Sequence, residues 1–536
     1  MTAALWTEMA WLPSPPDDFK TRVRACADDP DGAGFTLRTL AQYRLSENQC
    51  HSLAKAVHKL RSAGNEITGL EPFRLALLSN ATTSFLVPAL VGTALRYGIQ
   101  LEVIEAPFNQ IASEALDPNS TVNQARPDAA LILLDARALP QLGGIGNAEE
   151  SRLARDQAVA ELKGMCDSIE QHAGARCIIQ TIPRPPDTAL GSLDFRLAGT
   201  ARQFIDSYNR ELDLLLQDSP HIILDTAGLA ETVGLGAWHD PVYWNLAKLP
   251  FAQPLIPLFA DHVCRVLAAL RGRSRRCLIL DLDNTLWGGA VGDVGVDGIE
   301  LGQGSAAGEA HLDVQKTALR LRELGIVLAV CSKNDPDVAK QPFERHPEML
   351  LTLDHISVFR ANWTHKASNI QDIADTLDLG LQSMVLLDDN PAERGFVRGA
   401  LPDVAVPELP LDPALFSRTL LAAGYFESVA LTQEDRARAD AYTGNARRVE
   451  IRRQAPDVDS YLKDLDMVMS LAPFQEIDRA RLVQLINKTN QFNLTTRRYS
   501  ETDVRAMFDD PALCTVQARL RDRFGDNGLI SIVICR

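Results

Sequence analysis

Four short stretches carry the residue types that chemistry would need. Asp281 and Asp283 lie where the apolar run Cys277–Leu280 opens into the loop DLDNTLWGG. Two carboxylates meeting there without a sequence-local cation are costly unless a divalent metal neutralises them, and hard oxygen donors suit magnesium. Ser332 ends the apolar run IVLAVCS, Lys366 opens a helix after FRANWTH, and Asp388 and Asp389 follow MVLL. All these groups emerge at strand ends or helix starts, the crevice where open α/β sheets bind ligands. Phosphoryl transfer has a task for each: a carboxylate attacks phosphorus, a second protonates the leaving oxygen, a hydroxyl and an ammonium hold phosphoryl oxygens, and the last acids retain magnesium.

The elements that must position them read as alternating strands and helices, which indicates parallel sheets and an α/β fold. Residues 1–70 are helical and polar, with Leu53, Val57 and Leu60 on one face, and read as an N-terminal extension. Residues 71–270 give a first α/β domain through FRLALLS, LEVIEAPF, ALILLDAR, CIIQTI and HIILDTAGLA. A basic connector, RGRSRR, marks a boundary, and residues 271–415 form a second α/β domain with the four stretches above. Residues 416–536 begin as charged helices and end on the apolar strand GLISIVICR. An α/β domain normally follows such a strand with a covering helix, so this third domain is expected to be truncated.

Of the 536 residues, 46% are hydrophobic and 23% charged, enough apolar material for several cores. The formal net charge of −16 would repel a phosphate backbone or an anionic bilayer, so neither nucleic acid nor membrane is an expected partner. The start, MTAALWTEMAWLPSPPDDF, lacks the basic and continuously apolar parts of a signal peptide, so a cytoplasmic protein is expected. Nine scattered cysteines without a CxxC pair fit reduced thiols better than a disulfide framework or zinc cage.

The ordered set Asp281-Leu282-Asp283-Asn284-Thr285, Ser332, Lys366 and Asp388-Asp389 resembles the four motifs of the haloacid dehalogenase (HAD) superfamily of phosphotransferases. The resemblance implies a HAD-like Rossmannoid fold, with Asp281 as the nucleophile that becomes an aspartyl phosphate and Asp283 as general acid and base. Ser332, Lys366, Asn284 and Thr285 would bind phosphate, and Asp281, Asp283, Asp388 and Asp389 would surround Mg2+. Only about fifty residues separate the first two motifs, too few for a large cap domain, so a bulky or macromolecule-borne substrate is expected. The phrases LDLDNTLWGGAVGDVGVDGIELG, VCSKNDP and LLDDNPAER look like those of FkbH-like proteins of HAD subfamily IIIC. That family loads a glyceryl group from 1,3-bisphosphoglycerate onto a phosphopantetheinylated acyl carrier protein for polyketide-type assembly and removes its phosphate. Such a reaction asks for a relay thiol, and Cys331, beside Ser332, is the candidate, its thiolate favoured by magnesium and Lys366. The alternative for Cys331 is a buried strand cysteine packing as a small hydrophobe.

Residues 71–270 resemble the SGNH hydrolase fold, with Asn80 in the turn Ser79-Asn80 where the nucleophilic serine is expected and Asp240-Pro241-Val242-Tyr243 where an Asp–His pair would stand. Both departures imply a degenerate scaffold or carrier dock; pairing of His239 with Ser79 would restore a hydrolase. From 416 the chain resembles a partial acyltransferase-like (GNAT) module through NKTNQFNLTTRRY, where Asn490 and Asn493 would touch pantetheine or simply pack. Basic docking candidates for an acidic carrier are Arg271, Arg273, Arg275 and Arg276, or Arg497, Arg498, Arg519, Arg521 and Arg523. The leading expectation is a glyceryl transferase and phosphatase. The alternatives are a phosphatase of the same superfamily acting on another carrier-bound or small phosphate ester, and a noncatalytic assembly-line scaffold.

Overall fold

The computed structural model describes residues 2–140, 144–488, 499, 501–508 and 510–535. Five short runs build the first sheet, β3 buried throughout and β4 nearly so: β1 (Glu71–Ser79), β2 (Ile99–Glu105), β3 (Ala129–Leu133), β4 (Arg176–Gln180) and β5 (Ile222–Leu224). They are all parallel, in the order β2-β1-β3-β4-β5. Strands buried on both faces read as continuous apolar runs, which is why alternation is absent from ALIL and CIIQ. The second sheet contains β6 (Cys277–Leu280), β7 (Val327–Ser332), β8 (Val358–Ala361) and β9 (Met384–Leu387), again all parallel, in the order β8-β7-β6-β9. β6, β7 and β9 are buried throughout, and each large aliphatic side chain so buried contributes roughly 1.5–3 kcal/mol.

The helices before residue 70 are a layer of the first core, more than an extension. Leu37, Leu40, Leu53, Val57 and Leu60 pack in one apolar cluster with Leu75, Leu77 and the helix Ile256–Leu270. An amphipathic face needs a partner surface, and the face of β1 that carries Leu75 and Leu77 supplies part of it. Ala422 and Ala423 join this same cluster, so the segment after 415 returns to the first core. Ala446, from the charged helix Gln433–Gln454, packs beneath the second sheet.

The connector is an internal joint. Arg273 Nη2 lies 3.0 Å from Glu71 at the start of β1, and Arg271 pairs with Glu71 and Asp128. Arg275 donates to the carbonyls of Gln382 and Asp403, and the Arg276 N–H to that of Ser383, just before β9. Of the four arginines expected as a docking patch, Arg271, Arg273 and Arg275 therefore have their guanidinium groups engaged within the chain. The starts of β1 and β3 in the first sheet and of β6 and β9 in the second thus lie at this joint. A cavity of about 570 Å³, lined in part by Arg276, Leu324, Tyr425 and Arg438, lies at the joint and carries none of the four motifs.

The last sheet, β10 (Val468–Ala472), β11 (Cys514–Asp522) and β12 (Gly525–Cys535), is antiparallel. β12 enters by a tight hairpin from β11, so it needs no covering crossover helix, and the premise for expecting one does not apply. Arg519 pairs with Asp478 and Asp526, and Arg523 donates to the Asp464 carbonyl. Asn490, Asn493, Arg497 and Arg498 lie outside the described residues. Among the described residues, no helix is long and apolar enough to cross a membrane.

Candidate active site

Strand register assembles the site. Leu280 of β6 is paired with Leu387 of β9, and the Asp281 N–H extends that ladder by donating to the Leu387 carbonyl at 3.0 Å. Asp281 and Asp388 are therefore neighbours at the carboxyl edge. Lys366, first residue of the helix Lys366–Leu377, reaches between them: its Nζ is 3.0 Å from Asp281 Oδ1 and 2.6 Å from Asp388 Oδ2. All three are deeply buried, at 6%, 0% and 2% exposure for Asp281, Asp388 and Lys366. Carboxylate oxygens of Asp281, Asp388 and Asp389 lie within 4.8 Å of one another.

The electrostatics follow from three acids sharing one ammonium. Burial pushes the Asp281 carboxyl up to about 7, opposed by Lys366 and reinforced by Asp388. Burial and then Asp388 raise Asp389 as well. Burial would lower Lys366, but Asp281 and Asp388 outweigh it and hold the ammonium above its ordinary value. The set has more potential negative charge than Lys366 balances, and its donors are hard carboxylate oxygens. These residues fit a magnesium ion, with Asp281, Asp388 and Asp389 as the holders.

Asp283 is brought to the same edge but not into that cluster. Its Oδ1 accepts from Trp287 Nε1–H at 2.9 Å and from the Val291 N–H at 3.0 Å, and its Oδ2 accepts from Asn334 Nδ2 at 2.9 Å. Three donors fix it in one orientation, so the expectation that its side chain helps surround the metal is corrected. Thr285 and Asn284 also have other partners than those expected. Thr285 is fully buried; its hydroxyl receives the Asp389 N–H at 3.2 Å and donates to Asp389 Oδ1 at 3.4 Å, tying the first motif to the fourth. Asn284 adopts a left-handed φ of 57° and its Oδ1 accepts from the Gly289 N–H at 2.9 Å, closing the turn. The Thr285 hydroxyl, expected to bind phosphate, is thus committed to Asp389. Ser332 sits buried at the carboxyl end of β7, where its carbonyl accepts from the Asn362 N–H at 3.2 Å.

Cys331 departs furthest from expectation. It alternates with Ser332 along β7 and so projects to the opposite face, packed with Cys277, Ile279, Ala329 and Ile370. Its thiol lies 3.8 Å from the Lys366 carbonyl oxygen, and burial pushes it up to about 12 despite the Lys366 charge. The relay thiolate is corrected to a core thiol, the alternative the strand position left open.

The matching edge of the first sheet is closed. Asn80 exchanges two hydrogen bonds with Asp135, Nδ2 to Oδ1 and the Asp135 N–H to Oδ1 of Asn80, both at 3.0 Å. Ser79 Oγ accepts from the Ala81 N–H, while His239 Nε2 lies 2.9 Å from the Arg184 carbonyl oxygen. Asp240 caps the helix Pro241–Ala247 through the N–H groups of Val242 and Tyr243. Ser79 and His239 are each bonded elsewhere, and no hydrogen bond joins them among the described residues.

Asn334 and Arg394 were not singled out from the sequence. Asn334 lies two residues after Ser332 in VCSKNDP, and Arg394 ends LLDDNPAER, so proximity to the motifs was the available signal.

Comparison with known proteins bears on the whole arrangement. Residues 74–268 match the family model described as the N-terminal domain of FkbH. A crystal structure from Bacteroides fragilis, described as the N-terminal part of the protein BF1531 containing a phosphatase domain complexed with Mg, is 33% identical. That similarity has a TM-score of 0.65 and covers 72% of this chain and 100% of that one. No curated protein matches. With identity at this level over the full length of the solved relative, and a family model on the first sheet, the chain belongs to the FkbH-like family.

Proposed function

We propose that the second sheet is a magnesium-dependent phosphohydrolase site of the HAD type, serving a phosphoglyceryl group carried on an acyl carrier protein. The observation that carries this reading is Lys366 bridging buried Asp281 and Asp388. An Asp281 oxygen attacks phosphorus, the bond from phosphorus to the substrate alcohol oxygen breaks, and Asp283 delivers the proton to that oxygen. Asp283 then takes a proton from water as the water oxygen attacks the aspartyl phosphate, releasing phosphate and restoring Asp281. Trp287, Val291 and Asn334 hold Asp283 in place for both transfers, and Lys366 offsets phosphoryl charge. Magnesium, when bound, supplies further neutralisation of the phosphoryl oxygens.

Glyceryl loading from 1,3-bisphosphoglycerate is the finer part of the proposal, supported by membership of the FkbH-like family. With Cys331 buried, the form this chain favours is direct transfer. The carrier thiol attacks the acyl carbon, the carbon–oxygen bond to phosphate breaks, and phosphate departs with the thiol proton. Mass spectrometry of the holo carrier after incubation with 1,3-bisphosphoglycerate and Mg2+ tests this. A glyceryl adduct is expected; no added mass would reject loading. Hydrolysis of another carrier-bound or small phosphate ester is the second reading, favoured by the same burial of Cys331, and it predicts phosphate release without an adduct.

A further inference from the structure

We infer that Arg394 is a positioning residue for the metal-binding loop, braced by Glu408 and, through it, by the N-terminal segment. The inference rests on the reading of Asp388 and Asp389 as magnesium holders. Arg394 is 4% exposed, on the helix Pro391–Ala400 that follows the loop. One of its nitrogens, Nη1, donates to both loop carbonyls, Asp388 at 2.9 Å and Asp389 at 2.6 Å. Its other face is held by Glu408, with Nε and Nη2 at 3.2 and 2.9 Å from Oε2.

Glu408 is itself fixed on three sides. Its Oε1 lies 2.6 Å from Arg398 Nη1, its N–H donates to the Trp11 carbonyl at 2.8 Å, and residues 404–406 run beside β9 through Ala405. Trp11 is buried in the first core. A continuous chain of bonds thus runs from the N-terminal segment to the acids. Two successive peptide carbonyls drawn backward onto one guanidinium set the peptide planes of the loop. The Asn390 cap on the same helix, accepting from the Ala392 N–H at 2.9 Å, fixes its exit. With both ends set, the carboxylates of Asp388 and Asp389 are directed forward, toward Asp281. Groups that orient metal ligands in this way are worth about 10–100-fold in metal affinity when removed.

The test measures Mn2+ binding to the full chain by electron paramagnetic resonance, with Mg2+ as competitor, well below the unfolding temperature. Arg394→Met is expected to weaken binding about 10–100-fold, Glu408→Gln about three- to tenfold, and Arg394→Lys to fall between wild type and Arg394→Met. Asn80→Ala, in the first sheet, controls for general loss of stability and should bind as wild type does. Folded Arg394→Met binding Mn2+ within twofold of wild type would overturn the inference. Should that variant fail to fold, Glu408→Gln decides by the same twofold limit. Absence of Mn2+ binding by the wild type would instead overturn the underlying reading of the acid cluster, and the inference with it.

Discussion

The two parallel sheets of this chain place polar residues at the same location, the carboxyl ends of adjacent strands, and do opposite things with them. In the first, Asn80 and Asp135 satisfy each other by two hydrogen bonds, and Asp135 also pairs with Arg137. In the second, Asp281, Asp388 and Asp389 share the single ammonium of Lys366. A doubly wound sheet therefore supplies a crevice, and residual unbalanced charge is what turns the crevice into a candidate for chemistry.

The comparison breaks most directly at Asp281. Asp281→Asn should reduce phosphate release by about a thousandfold or more, because the nucleophile is lost while the cradle remains. Steady-state release from a small phosphate ester measures it, and a variant within tenfold of wild type would place the two sheets on equal footing.

How much of this was legible in the sequence is clear from particular residues. Asp281, Ser332 and Asp388 were readable because three short apolar runs end abruptly in polar groups, a pattern buried parallel strands impose, and Lys366 because it opens a helix after FRANWTH. β8 was not readable, since Val358–Ala361 carries Phe359 and Arg360 and has no apolar run. Asn334, Arg394 and the cross-tie from Thr285 to Asp389 were missed because hydrogen-bond direction leaves no periodicity. The face of Cys331 was available from alternation with Ser332, and the attraction of a thiol near a lysine hid it. The β11–β12 hairpin was missed because β11, with Val516, Ala518 and Leu520 alternating with polar residues, was not read as a strand.

Lys366→Met sharpens the contrast through both activity and stability. Removing one partner of a buried pair leaves uncompensated charge and costs about 3–5 kcal/mol. Thermal unfolding should therefore shift down, and phosphate release should fall by about a hundredfold or more. Unchanged stability would mean that the Asp281–Lys366–Asp388 bridge is not formed in solution.

Asn80→Ala asks the converse question of the first sheet. It strips a donor and an acceptor from buried Asp135, costing about 1–3 kcal/mol, and should leave phosphate release within twofold. A loss of activity larger than the loss of folded protein would show that the first edge takes part in the reaction.

Cys331→Ala is expected to have the smallest effect. A core thiol with no role at the site should be replaceable with less than a twofold change in phosphate release and in carrier loading. Loss of loading alone would return the thiol to the reaction and contradict its place in the core.

The central claim is that Asp281 becomes covalently phosphorylated. Rapid quenching of the full chain with a labelled phosphate ester and Mg2+, followed by borohydride reduction and peptide mass spectrometry, tests it. The account predicts that Asp281, and no other residue, is converted to homoserine in a substrate-dependent manner. Turnover with Asp281 unmodified, or with the label on another residue, would contradict it.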